Sequence, residues 1–325
     1  MAKMKKSKIA WLIVATCLVT LGLVAVVVSI ALAGFDYSDF STVQYETNTY
    51  TLYEEFDDIS IITDTTDVRI KPSDDENVKV VCYEESKILH SVIIVDGTLK
   101  IEKVDSRKWY EHINIGINLD GSSITVYLPD KAYGNMSVFI DTGDTEIAEG
   151  LLFESIEVNS DTGDITNYAW AAGAIRLKAS TGYITVKDVL ADTLELKTTT
   201  GNVTLENVNC VGEITHKCST GESIFENVNC NNFTSVGDTG DITLTALKAA
   251  ERIAVERDTG KVRFDGSDAA ELLIETSTGD VDGSLLTDKI FIVSTATGKI
   301  DVPESLEGGK CKITTSTGDV KLTVK

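Results

Sequence analysis

Histidine is scarce in this chain: His90, His112 and His216 are the only three in 325 residues. They are scattered, and no metal or nucleophile constellation forms around them, so no catalytic residue, cofactor-binding residue, metal ligand or cofactor is expected. Cysteine gives no framework either. Cys82, Cys210, Cys218, Cys230 and Cys311 are an odd set without C-x-x-C spacing, which indicates neither a zinc site nor a full disulfide scaffold. Cys210 and Cys230 share one position in successive repeats, where stacked strands lie ~4.8 Å apart. Side-by-side strands seldom offer a disulfide dihedral, and buried free thiols are the expectation. Basic charge is the third shortage. Lys3, Lys5, Lys6 and Lys8 are the only charges before residue 35, and the remainder carries 25 basic against 51 acidic residues, a net of −26. That argues against nucleic acid as a partner, and against anionic membrane surfaces or acidic polymers as simple electrostatic ones.

Charge is absent altogether from Ile9 to Gly34. Some 20 apolar residues span a bilayer as a helix. Lysines before the run and Asp36 and Asp39 after it place the N-terminus in the cytoplasm and the rest outside. Ala31-Leu32-Ala33 would also suit a signal-peptide cleavage site, but signal h-regions run only ~7–15 residues. An uncleaved signal-anchor is expected: a basic tail 1–8, then a membrane helix 9–34. Thr16 before it and the short apolar run upstream argue against Cys17 as a lipid-attachment site. "LPDKA" at Leu128 lacks the Thr-Gly of a sortase motif, so attachment is expected to rest on the helix.

What the chain has in abundance is one tripeptide. "VFIDTGD" at 138–144 reads like the catalytic strand of an aspartic protease, yet Asp-Thr-Gly returns at Asp161, Asp238 and Asp258. Ser-Thr-Gly stands at Ser180, Ser219, Ser277 and Ser316, with Thr199 and Ala296 opening the variants. Ten glycines from Gly143 to Gly318 are spaced 19 or 20 apart, and a repeat of that kind decides the fold first. A catalytic acid would not be replaceable by Ser.

Aligned on the glycine, the position seven before it is apolar in every copy, from Met136 to Cys311. Five before, two after and four after it, eight of ten are apolar, while one and three after are polar in nine of ten. This period-2 alternation gives two short half-buried strands per repeat. Glycine supplies the bend, and the preceding Asp or Ser is expected to close it as an Asx or ST turn. One coil cannot stand alone: four inward side chains contribute roughly 6–12 kcal/mol, and ordering some 19 residues costs ~1–2 each. Stacking resolves this. The expected fold is all-β, a parallel β-solenoid (a single-stranded β-helix) with coils of about 19–20 residues, right-handed by the usual crossover preference. A leucine-rich repeat has a similar period, but its Leu-x-x-Leu-x-Leu signature and any helical segment are missing.

The regular solenoid is assigned to 136–325 and an irregular cap of first coils to 35–135, with strands near Ile59–Ile62, Val68–Ile70 and Val78–Cys82. Thr66 is a degenerate turn position, 77 residues before Gly143. Trp109, Tyr110 and His112 sit in an insertion and are read as a local packing anchor.

The stretches "FDDISIITDTTDVRIKPSDDENVKV", "VDGTLKI" and "ITVYLPDKAYGNMSVFIDTGDTEI", with the serial Asp/Ser-Thr-Gly copies, resemble the bacterial "putative adhesin" family. That family is a β-strand-repeat domain of unknown function related to the head-GIN domain. The resemblance covers nearly all of residues 50–325, and many Gram-positive members carry a single N-terminal membrane helix. It implies a β-helical extracytoplasmic domain, linked in some members to cell-envelope stress, and no catalytic residues.

The expected function is therefore non-enzymatic: a membrane-anchored surface interaction module with an envelope or cell-surface partner and no nucleic acid. The alternative is a carbohydrate-active enzyme on a parallel β-helix, which would need a cleft walled by long loops. The final strand "DVKLTVK" is expected to be the open edge, guarded by Lys321 and Lys325, leaving a monomeric external domain. Asp141, Asp144, Asp161 and Asp164 form an acidic group that could attract Ca²⁺, although each is expected to close its own turn. Toward the other end, Asp241, Lys261, Asp280, Lys299 and Asp319 are expected to alternate in charge up the stack.

Overall fold

The computed structural model describes residues 6–32, 44–108 and 121–325, so Trp109, Tyr110 and His112 lie outside the described residues. The chain forms two compact units, Met1–Tyr45 with Arg107–Asp120, and Glu46–Ser106 with Gly121–Lys325.

In the first unit an α-helix runs over Lys6–Leu32, 27 residues without a proline. Thr20 turns its hydroxyl back to the carbonyls of Thr16 and Cys17, at 3.0 Å each, so the polar atom is satisfied within the helix. Among the described residues no helix is long and apolar enough to cross a membrane. The membrane crossing expected over 9–34 thus has no support at this level.

The second unit is a parallel β-solenoid of about ten turns of about 20 residues. Each coil lays its strands directly on the equivalent strands of the next. Met136 pairs with Ile156, Ile156 with Ile175, Ile175 with Leu194, Leu194 with Ile214, and so on through Phe233, Ile253 and Leu272. In-register stacking turns the alternation of each strand into continuous inward columns, and Ile156, Ile175, Ile214, Phe233, Ile253 and Leu272 have no exposed surface. Every coil hydrogen-bonds the next along its length, which is how a coil too small to fold alone is held.

The order of the last coils departs from the sequence order. Leu272 pairs with Cys311, and Cys311 with Phe291, so the tenth repeat lies between the eighth and the ninth. The C-terminal strand Val320–Val324 is likewise flanked by Val281–Leu285 on one side and Ile300–Asp301 on the other. The Gly308-Gly309 pair makes this insertion possible: a Cβ on Gly308 would collide with the carbonyl of Asp288, and one on Gly309 with that of Ala270. Two consequences correct the sequence reading. The open edge is Lys289–Thr297 together with only Leu322–Val324 of the final strand, since Val320 and Lys321 pair with Ile300 and Asp301. And the charge column does not alternate, because Asp319 stacks on Asp280, whose Oδ1 accepts the Asp319 N–H at 2.8 Å.

At the other end, strand Asp58–Pro72 is a full coil bent at Thr65–Thr66, with Ile59 and Ile61 opposite Met136 and Val138. Beyond it, Thr98–Asp105 and Ser122–Leu128 add parallel strands to its two halves. Antiparallel strands then close the stack: Ile88–Val95 on Thr98–Asp105, and Val78–Glu85 on Ser122–Leu128.

Candidate functional site

The Asp-Thr-Gly column, the first place a catalytic or metal role would be sought, is an intercoil ladder. Where the residue after the glycine is Asp or Asn, its side chain accepts the backbone N–H of the counterpart on the adjoining coil. Asp144 Oδ1 takes Asp164 N–H, and Asp164 Oδ1 takes Tyr183 N–H, both at 2.8 Å. Asn202 does the same for Glu222 and Asp241 for Lys261, at 2.9 and 2.8 Å. The residue before Thr-Gly was expected to close the turn, and it does not: Asp161 accepts only the Ser180 hydroxyl, at 3.4 Å. Among the described residues, no turn N–H is bonded by Asp141, Asp238 or Asp258. Asp144 and Asp164, two of the four acids considered for Ca²⁺, each hold a backbone N–H of the next coil in this way.

Two buried polar networks were not read from the sequence. The first lies in the antiparallel cap, where Cys82 and Glu84 point inward from Val78–Glu85 and His90 from Ile88–Val95. Glu84 Oε2 accepts both the backbone N–H and Nδ1–H of His90 at 2.7 Å, and Glu84 Oε1 accepts Asn48 Nδ2 at 2.9 Å. His90 Nε2 meets the Thr63 hydroxyl at 2.9 Å. A carboxylate, imidazole and hydroxyl in line is the arrangement of nucleophilic catalysis. Here Thr63 is 3% exposed, His90 4% and Glu84 0%, so no substrate can reach the hydroxyl.

Cys82, Glu84 and His90 also bring S, O and N donors within 4.8 Å of one another, the one such group among the described residues. Burial, and secondarily the Glu84 charge, push the Cys82 thiol up to about 12, so it holds its proton. A metal would have to displace that proton and break the Glu84–His90 pairing. The donor set fits a sealed structural network better than an ion.

The second network explains the breaks in the apolar columns. His216 and Ser235 interrupt the position five before the glycine, and Ser223 the position two after it. These exceptions converge: His216 Nδ1 meets Ser235 Oγ at 2.8 Å, and Ser223 Oγ lies 3.4 Å from its Nε2. Arg257, itself 3% exposed, donates to Ser235 Oγ at 2.8 Å and to the Glu256 carbonyl at 3.1 Å. Gly237 leaves it room, since a Cβ there would stand 2.5 Å from its guanidinium. Burial, and secondarily Arg257, lower the His216 pKa to about 3, so the ring is neutral. Three exceptions on neighbouring coils were the signal in the sequence; the register was needed to join them.

All five cysteines of the solenoid are free and buried. Cys210 donates to the Asp192 carbonyl at 3.0 Å, and burial pushes the thiols of Cys210 and Cys230 up to about 11 and 12.

No curated protein sequence matches the chain. Solved structures of similar fold include a "putative adhesin" from Bacteroides fragilis, 16% identical over 86% of this chain and 97% of that one, TM-score 0.42. Another, from Parabacteroides merdae, is 13% identical over 75% and 97%, TM-score 0.48. A "putative lipid binding protein" from Parabacteroides distasonis is 13% identical over 87% and 98%, TM-score 0.47. Likeness at this level says nothing of a ligand. The Toastrack DUF4097 family matches residues 56–221 and 209–325, together almost the entire solenoid. The chain belongs to the Toastrack DUF4097 family.

Proposed function

We propose that the chain is a non-enzymatic, extracytoplasmic surface module held to the cell membrane by its N-terminal helix, with the N-terminus in the cytoplasm. The observation that carries this reading is the uniformity of the coils. Glycines from Gly143 to Gly318 keep a spacing of 19 or 20, so no long loop walls a cleft. The grooves on the solenoid are open ones, such as that of about 200 Å³ along Thr234, Val236, Ala254, Glu256, Leu273 and Glu275. A glycosidase needs paired carboxylates across an enclosed bond, whereas Glu256 and Glu275 stand on adjacent paired strands of one open groove. The uncharged run Ile9–Gly34 behind four lysines supports the anchor, and family resemblance supports an envelope setting, including the link to envelope stress.

Protease added to intact cells tests the topology: the solenoid is digested, and a membrane-bound fragment keeps the first residues. A mature protein beginning near Gly34 would overturn the anchor. Release of reducing ends from a panel of envelope and plant polysaccharides would overturn the non-enzymatic reading.

A further inference from the structure

The solenoid is strongly acidic, yet one of its faces carries an unbroken column of lysines. Lys178 pairs with Lys197 and Lys197 with Lys217, so three cations stand on successive strands, ~4.8 Å apart at the backbone. Each is four residues before its turn glycine, and each is exposed. Among the described residues none of the three makes an ion pair or a hydrogen bond. Cross-strand like charges repel, and other basic columns of this protein are neutralised. Arg252 and Lys310 flank Glu271 at 3.1 and 3.5 Å, and Lys187 meets Glu206 at 2.7 Å. Two stacked acids, as at Glu256 and Glu275, are what a chain with 51 acidic residues would produce; three stacked lysines are not.

The surroundings of the column carry the same signature. In the lysine-bearing coils the residue before Thr-Gly is Ser180, Thr199 or Ser219, whereas the coils on either side have Asp161 and Asp238 there. The hydroxyls therefore lie beside the lysines on the outward side of the same strands. Ser180 leans toward Asp161, which marks one boundary of the patch. Along the stack the lysine column continues through Asn159 to Phe139 on one side and to Val236 on the other, with no acid until Glu256. Two residues before the lysines, Arg176 adds a fourth cation and is paired with Glu195 at 3.8 Å.

We propose that Lys178, Lys197 and Lys217, with Ser180, Thr199 and Ser219, bind an extended phosphate-bearing polymer lying along the solenoid axis. The column is all lysine. Lysine binds phosphate as a point charge with rotatable donors, without the planar fork by which arginine matches carboxylate and phosphate bidentately. Hydroxyls between the lysines supply further donors to the two non-bridging oxygens of each linking phosphate. A polymer, and not a single anion, matches cations repeated once per coil. The net charge of −26 argues against acidic polymers in general; the column is the local exception, and the acids around it confine binding to that line. The inference deepens the surface-module reading by naming a partner class, and it depends on no membrane topology.

The test uses the full chain in detergent and labelled long-chain inorganic polyphosphate, read by fluorescence anisotropy. Binding is expected at low salt, with log K falling against log salt at a slope of about −2 for three neutralised phosphates. Replacing Lys178, Lys197 and Lys217 together by Gln should weaken it by about fivefold per lysine, without lowering the melting temperature. Two control variants should bind within twofold of wild type, by the principle that exposed charges act locally at moderate salt: Lys299→Gln with Lys312→Gln and Lys321→Gln, and Lys3, Lys5, Lys6 and Lys8 all to Gln. Equal loss in either control, or no binding at low salt, would overturn the site. Orthophosphate binding as tightly as the polymer would overturn the extended ligand, and polygalacturonate binding as tightly as polyphosphate would overturn the phosphate class. Polysaccharide cleavage, which would sink the surface-module reading, is a separate readout and leaves these outcomes distinguishable.

Discussion

The carbonyl oxygen of Gly182 occupies the space that a Cβ on Gly201 would need. Gly201 has a φ of 148°, a region that already favours glycine, but the contact is the stronger constraint. The same relation repeats up the column, with Gly201 blocking Gly221, and Gly221 blocking Gly240. Backbone cannot move aside as a side chain can, because both coils are fixed by their ladders. Gly201→Ala should therefore cost about 2–6 kcal/mol, adding overpacking to backbone strain. Thermal or denaturant melts measure this, and equal stability of variant and wild type would remove the explanation of the glycine column.

The two acids around Gly163, another glycine of the column, separate in the same assay. Asp164→Ala leaves the Tyr183 N–H without its acceptor and should cost about 1–3 kcal/mol. Asp161→Ser removes only a long contact from Ser180 and should lie within about 0.5 kcal/mol of wild type. The reverse ranking would restore the turn-closing role to the first acid.

That ranking shows what could be read in advance. The apolar columns and the glycine period were visible as letters, because period-2 alternation survives any stacking. Which acid binds which N–H was not, because the Asx turn and the intercoil bond use the same residue types one strand apart. The lysine column needed only the register, four before each glycine. The late crossover was hidden for a different reason: Cys311 and Phe291 are interchangeable as inward apolar residues, and only Gly308-Gly309 marks the point where the chain slips back. Glu84 and His90 lie six apart across an antiparallel hairpin that a parallel repeat does not suggest.

His216 gives the solenoid an acid-sensitive point. Its folded pKa, about 3, lies below the ordinary value of 6.5. The unfolded chain therefore binds the extra proton between those values, and stability is full above about pH 6.5 and lost as pH falls toward 3. The slope approaches about 1.4 kcal/mol per pH unit inside that window. His216→Gln has no such group, so the difference in stability between wild type and variant should shrink or change sign from pH 7 to pH 4.5. A constant difference across that range would show that the ring is protonated in the fold or reached by solvent.

The cap network predicts a loss without a metal. Glu84→Ala strips one partner from the half-buried Asn48 and both Glu84 contacts from the buried His90, and should cost about 3–5 kcal/mol. Zinc and a chelator should leave the wild-type melting curve where it is, because the Cys82 thiol keeps its proton to about 12. A chelator-dependent drop in melting temperature that Cys82→Ala abolishes would assign the group to an ion.

The last prediction follows from the crossover. A monomer was expected because Lys321 and Lys325 were read as guards of the final strand, but Val320 and Lys321 of that strand are paired on both sides. Lys325 is also engaged, its ammonium 2.7 Å from Asp265. The longer open backbone edge is Lys289–Thr297, and Ile290 to Gly298 contains no charge. Ile290 and Ile292 are 40% and 50% exposed, while Phe291 and Val293 close the core only in part. An uncharged apolar edge is the kind that recruits another strand, and a two-fold axis across it would let two copies pair the same strand antiparallel. Sedimentation of the full chain in density-matched detergent should show concentration-dependent association that Ile292→Lys suppresses and Lys321→Ala leaves unchanged. A monomer at every concentration, in wild type and variants alike, would mean that the crossover edge does not pair.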